Sequence, residues 1–223
     1  MARFIPAQSH SGGTVPYRIF TIATATAIEK GEIVLQTPAV GIAAVAGTDF
    51  NDPAIGVAME EHDGASEYET GTEIKVACSP MAVFALQSTK AITLTGGSTA
   101  TVVVSGLLPQ TDNLFIGGYV EVVTCATGIA AGTMIKITDS TGSTGSLAID
   151  TQSSAFAADD TVILHPGKLA IGEYGWDLDS DGTDIDYKTS GGEALILVDA
   201  DPVRKLAYFA LRLHQFGNDA AAK

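Results

Sequence analysis

Short apolar runs broken by glycine recur along this chain, most of them alternating with polar positions. Alternation is the period of a half-buried β-strand, whereas an amphipathic helix repeats about every 3.6 residues. In the first part of the chain the runs are Tyr17 to Thr24, Glu32 to Gln36, Ile55 to Met59, Glu73 to Ala77 and Met81 to Leu86. Val, Ile, Thr and Phe dominate them, and Gly31-Glu32, Asn51-Asp52-Pro53 and Glu69-Thr70-Gly71 supply turns between them. From Ser88 to about Gly167 the texture shifts to Thr, Ser, Gly and Ala. Strands are predicted there at Ala91 to Thr95, Ala100 to Val104, Tyr119 to Thr124, Met134 to Thr138, Ser146 to Asp150 and Thr161 to Leu164. Asp139 to Gly145 reads as a hairpin tip. The threonine content predicts one face for a core and one for water.

The two ends differ from the middle. Pro6, Gly12, Gly13 and Pro16 among Ser, Thr and Gln predict an extended arm over residues 1–20, because Pro and Gly disfavour helix and no apolar period is present. In the tail, Glu193 to Asp199 is a strand. Asp201-Pro202 then matches a helix start, with Asp capping the first amides and Pro in the first turn. Val203, Leu206, Ala207, Ala210, Leu211 and Leu213 share one helical arc, and Gly217 is a stop. Read with period 2, the same segment puts Ala207, Phe209, Leu211 and Leu213 on one strand face. The Asp-Pro pair tips the reading towards a short C-terminal helix. The expected fold is therefore mainly β: a small barrel or sandwich over 21–90 with a second β unit, inserted or appended, over 91–167. Residues 168–217 return to complete the first unit, and 218–223 form a frayed tail.

Charge narrows the function classes. The 223 residues carry 12 Lys+Arg against 26 Asp+Glu, a net charge of −14. Nucleic-acid affinity rests on clustered basic side chains, and here only Arg204-Lys205 are adjacent, so no nucleic-acid partner is expected. No apolar run approaches the ~20 residues of a membrane-spanning helix, and the start lacks the apolar stretch of a secretory signal. The expectation is a soluble protein made in a cytoplasm, with no membrane partner. Cys78 and Cys125 form neither a disulfide framework nor a metal knuckle, and both read as small buried hydrophobes.

Candidate chemistry is sparse. In Asp177-Leu178-Asp179-Ser180-Asp181-Gly182-Thr183-Asp184-Ile185-Asp186, carboxylates at alternate positions precede a glycine, as at the start of an EF-hand-type loop. Asp177, Asp179, Asp181 and Asp184 are the candidate calcium ligands. Lys188 stands where a bidentate Glu belongs, and the plainer reading is an acidic, solvated turn; no other cofactor is expected. Glu60-Glu61-His62-Asp63 could place a histidine among carboxylates, but no second His or Cys stands at ligand spacing, and an exposed loop is the better reading. His10, His165 and His214 are isolated in sequence. Nucleophile elbow, P-loop and dinucleotide fingerprints are all missing, and neither cysteine neighbours a His or basic pair that would activate it. No enzyme is expected.

Three segments then carry a resemblance. Ile28-Glu29-Lys30-Gly31-Glu32-Ile33-Val34, Asp52-Pro53-Ala54-Ile55-Gly56-Val57-Ala58 and Gly71-Thr72-Glu73-Ile74-Lys75-Val76 share the order of a glycine turn into a strand, a Gly-Val-Ala strand, and a Gly-Thr strand leading to an apolar hairpin. In this texture residues 1–90 resemble the small β-barrel decoration (cement) proteins of tailed-bacteriophage heads. The resemblance implies a non-catalytic virion protein on the outer capsid surface. It would be homotrimeric, bound to the major capsid protein and stabilising capsomer junctions. Phe4, Ile5, Pro6 and Tyr17 would then belong to the arm that binds the capsid or a neighbour, and the middle unit would project outward. The alternative is an extracellular adhesive or carbohydrate-binding β-sandwich in which the Asp177–Asp186 loop holds calcium beside Trp176.

Overall fold

The alternation of branched apolar with polar residues produces strands nearly everywhere it occurs. A computed structural model describes residues 5–9, 15–22, 27–36, 42–44, 54–62, 73–79, 82–104, 112–113, 115–168, 176–178, 185–187 and 195–211. In chain order the strands are β1 (Ile5–Ser9), β2 (Tyr17–Thr21), β3 (Ile33–Gln36), β4 (Ile42–Ala44), β5 (Ala54–Ala58), β6 (Glu73–Ala77) and β7 (Ala82–Leu86). Next come β8 (Ile92–Thr93), β9 (Gly96–Gly97), β10 (Thr101–Val103), β11 (Tyr119–Thr124), β12 (Met134–Thr141), β13 (Ser146–Ile149) and β14 (Thr161–His165). The tail adds β15 (Trp176–Leu178), β16 (Ile185–Tyr187), β17 (Leu195–Asp201) and β18 (Leu206–Leu211). The fold is mainly β, with curled sheets that form a half-barrel.

Three sheets share the strands, in the orders β2-β6-β5-β3-β4, β1-β7-β18-β17-β15-β16 and β8-β14-β11-β12-β13-β10-β9. The seven-stranded sheet is thus one unbroken excursion from β8 to β14, while the tail strands return to pair with β7. Its strands alternate as their threonines predict. Val120, Val122, Ile135, Ile137, Val162 and Leu164 turn inward and are buried, whereas Tyr119, Glu121, Met134 and Lys136 face outward. The hairpin tip between β12 and β13 closes on a 3-10 turn, Gly142–Thr144, followed by Gly145 in the left-handed region (φ 64°). The inward residues form one continuous core with Ile33, Val57 and Ala77 of the five-stranded sheet and Phe84, Leu197 and Phe209 of the six-stranded one. A second cluster, with Ile22, Ile28, Val34, Ile55, Ile74 and Val76, fills the other face of the five-stranded sheet.

Two expectations fail. Within the stretch expected as an extended arm, two described segments are strands of the fold itself: Ile5–Ser9 form the edge strand β1, paired with β7 in the register Ile5↔Ala85 to Ser9↔Ala82, and Tyr17–Thr21 form β2, paired with β6. An edge strand tolerates Pro6, which brings no amide hydrogen, and the register shifts between Pro6 and Gln8. The C-terminal helix is a strand. Asp201 Oδ1 does accept a backbone N–H, that of Arg204 at 3.1 Å, but the turn closes at once with Lys205 N–H donating to the Pro202 carbonyl. Lys205 takes the left-handed conformation (φ 60°), which ends any helical progression. The chain then runs back as β18 with strictly alternating burial, Ala207, Phe209 and Leu211 inward. Neighbours on both sides, β17 and β7, provide ladders that a helix could not use.

Candidate functional site

The outer face of the seven-stranded sheet is partly covered by the β17–β18 turn. Residues directly opposite in an antiparallel ladder project to the same face, so the pairs Tyr119↔Lys136, Tyr119↔His165 and Glu121↔Met134 place these side chains together outside. His165, isolated in sequence, is therefore not isolated in space: its Nε2 lies 2.8 Å from Glu121 Oε2, and its side chain is only 3% exposed. The second oxygen, Glu121 Oε1, accepts from Lys205 Nζ at 2.6 Å. Burial would push the Glu121 carboxyl up, but the hydrogen bonds from Lys205 and His165 outweigh it and hold the group below the usual carboxylate range. This junction pins the β17–β18 turn onto β11 and β14.

Beside the junction lies a cleft of about 860 Å³ between the turn and the sheet. Its apolar floor comes from Val83, Ile116, Val198 and Ala200. Val198 sits where the β17–β18 register shifts between Leu197 and Asp199. Tyr119 and Tyr208 flank the floor, with Lys136 and Lys168 on the sheet side and Asp199 and Asp201 on the turn side. Gly117 borders it in the left-handed region (φ 81°), and next to it a Cβ on Gly118 would overlap the His165 carbonyl oxygen. The sequence carries no motif for this cleft: its walls come from segments scattered between Val83 and Tyr208, joined only by the return of the tail.

The residues singled out from sequence do not assemble here. Ile5 opens β1 and is 64% exposed, Pro6 pairs with Phe84, and Tyr17 opens β2 and is 55% exposed; Phe4 lies outside the described residues. Asp177 is a strand residue, paired in register with Asp186, while Asp179, Asp181 and Asp184 lie outside the described residues. Among the described residues no three His, Cys, Asp or Glu side chains group as metal ligands do. The Glu60-Glu61-His62 segment is no open acidic loop around a histidine. Glu60 pairs with Lys75 at 2.6 Å, and His62 is buried, its backbone bridged to Ile28. Cys78 is buried as expected, which pushes its thiol pKa up. Cys125 is only half-buried, its Sγ 3.3 Å from Thr127 Oγ1, a correction to its expected burial. It lies just past the end of β11, where alternation stops.

Comparison with protein-family models, with curated proteins and with solved structures finds no match to this chain.

Proposed function

We propose that this protein is a non-catalytic structural component of a tailed-bacteriophage head, a decoration protein that binds the major capsid protein on the outer surface and reinforces capsomer junctions. The observation that supports this reading is the placement of its exposed apolar side chains. Of the four large apolar side chains exposed among the described residues, Ile5, Tyr17 and Ile19 (64%, 55% and 57%) belong to β1 and β2, which end their respective sheets, and the fourth, Val203 (78%), lies in the β17–β18 turn. Tyr17 and Ile19 lie two apart on one strand and so face the same way. The Cys78 N–H donates to the Pro16 carbonyl at 3.0 Å, so Pro16 and Cys78 are a bonded pair of the ladder. The next pair, Tyr17↔Ala77, and Ile19↔Lys75 are then non-bonded pairs, which turn the backbone groups of Tyr17 and Ile19 towards the open edge. An edge with outward amides and exposed apolar side chains is suited to strand addition from a neighbouring chain, in a homotrimer or on the capsid. The acidic remainder of the surface keeps the free protein from associating indiscriminately.

The test compares wild type with Ile19→Glu by analytical ultracentrifugation and by cosedimentation with heads of the phage that carries it. Trimers and head binding are expected for wild type and their loss for the variant, with thermal stability unchanged. A wild type that stays monomeric and remains in the supernatant would overturn the reading.

A further inference from the structure

We infer that the cleft between the β17–β18 turn and the outer face of β11 and β12 is a binding site for an acidic saccharide, one whose sugars carry both hydroxyls and a carboxylate. This does not depend on the capsid reading; it would give the same molecule a second contact, with a glycan.

The cations of this cleft are the first indication. Between Ser88 and Lys168 the chain has three basic residues, Lys90, Lys136 and Lys168, and two of them line one cleft. The other cations nearby are occupied: Lys205 is paired with Glu121, and Arg204 lies 3.6 Å from Asp201. Among the described residues, none forms a hydrogen bond or ion pair with the ammonium groups of Lys136 and Lys168. In a chain of net charge −14, two unpaired ammonium groups on one concave surface favour an anionic group of a ligand there.

The rest of the lining restricts what carries that anion. Tyr119 and Tyr208, each half-buried, offer ring faces and hydroxyls over an apolar floor, which suits a flat, partly apolar ring. Asp199 spends one oxygen on the Ala200 amide at 2.8 Å and keeps the other; Asp201 accepts from the Arg204 amide at 3.1 Å through Oδ1, with Oδ2 facing Arg204 Nε at 3.6 Å, and the acceptor capacity left on the pair suits hydroxyl donors. Two carboxylates on the rim disfavour a uniformly acidic peptide but accept from a sugar. A uronic- or sialic-acid unit supplies the carboxylate for the lysines, the hydroxyls for the aspartates and a ring face for the tyrosines. The volume, about 860 Å³, is within the range of small-molecule sites.

The experiment titrates the intact protein by calorimetry with trigalacturonate, a hyaluronan tetrasaccharide and sialyllactose. Neutral galactotriose and hexaglutamate serve as controls. At least one acidic saccharide should bind with a Kd of roughly millimolar or tighter, and neutral galactotriose at least about tenfold more weakly. Lys136→Gln with Lys168→Gln should weaken that binding at least about tenfold, and Tyr208→Ala should weaken it too, with thermal melting of the lysine variant unchanged. Chemical-shift changes confined to the cleft lining, on β11, β12, β17 and β18 and at Lys168, would accompany binding. Failure of all three acidic saccharides to bind, binding indifferent to the lysine substitutions, or hexaglutamate binding as tightly as the saccharides would each overturn the inference.

Discussion

Removing the charge of Glu121 while keeping its shape is the most informative perturbation of the junction between the seven-stranded sheet and the β17–β18 turn. In Glu121→Gln the side chain still reaches both partners, 2.6 and 2.8 Å away in the native protein, but only its carbonyl oxygen accepts: the Lys205 bond survives with a neutral acceptor, and the bond to His165 survives only reversed, with the amide N–H donating to Nε2. A hydrogen bond to a charged group contributes about 1.5–3 kcal/mol and a neutral one about 0.5–1.5, so each bond loses about 1 kcal/mol and the pair about 2. The carboxylate is 16% exposed and Lys205 30%, so solvent screens them only in part. For a chain of this size such a loss lowers Tm by about 4–8 °C. Thermal melts of Glu121→Gln, Lys205→Met and the double variant form a cycle, and the coupling should reach about 1 kcal/mol or more. The pH dependence has a definite sign. The folded carboxyl titrates below its ordinary value of 4.5, so its contribution is complete above that value and vanishes as pH falls through the lower folded one. The gap between wild type and Glu121→Gln should therefore be constant near neutrality and close in acid. Additive single costs, or a gap that widens in acid, would refute the reasoning.

Asp160, buried at 2% exposure, accepts from the Ala126 and Ala157 amides at 2.7 and 2.9 Å and ties together the segments after β11 and before β14. Asp160→Asn turns one acceptor into a donor facing a donor and should cost about 2–3 kcal/mol by urea denaturation. Burial would raise the Asp160 carboxyl pKa, but the two amides and Cys125 hold it below its ordinary 3.8, so its stabilisation is likewise lost only as pH falls through that lower value. Gly56→Ala should destabilise the five-stranded sheet, because a Cβ would overlap the Ala77 carbonyl oxygen across the β5–β6 ladder; a lower melting temperature checks it. Deleting residues 1–9 strips β1 from β7 and bares the edge of a strand whose Phe84 is 1% exposed. A lower Tm and concentration-dependent aggregation by light scattering are expected, where a free arm would give neither.

The strands were legible because their burial alternates: Glu73–Ala77 and Tyr119–Thr124 begin and end where the apolar pattern does. The failures have one physical source, the availability of a ladder partner. Nothing local in Ile5-Pro6-Ala7-Gln8-Ser9 demands a strand, and β7 provides the reason it becomes one. In the tail, the apolar spacing of Leu206–Leu211 satisfies both periods, and burial between β17 and β7 decides between them. The cleft was illegible for the same reason. Tyr119, Lys136, Asp199 and Tyr208 lie far apart in sequence, and the pairing of tail strands with β7 brings their elements together.

The excursion that builds the seven-stranded sheet leaves and rejoins the rest of the chain at a single spot, for β8 pairs with β14 as Ile92↔Val162 and Thr93↔Thr161. Directly opposed residues in such a ladder are about 5 Å apart, a gap that a short linker closes. The segment between them is thus a cassette with a narrow neck, replaceable by a tight turn or another module without rethreading the scaffold. What resists its exchange is the shared apolar interior, in which Phe84 and Phe209 pack in one cluster with Val120 and Leu164. A replacement cassette must bring its own greasy underside.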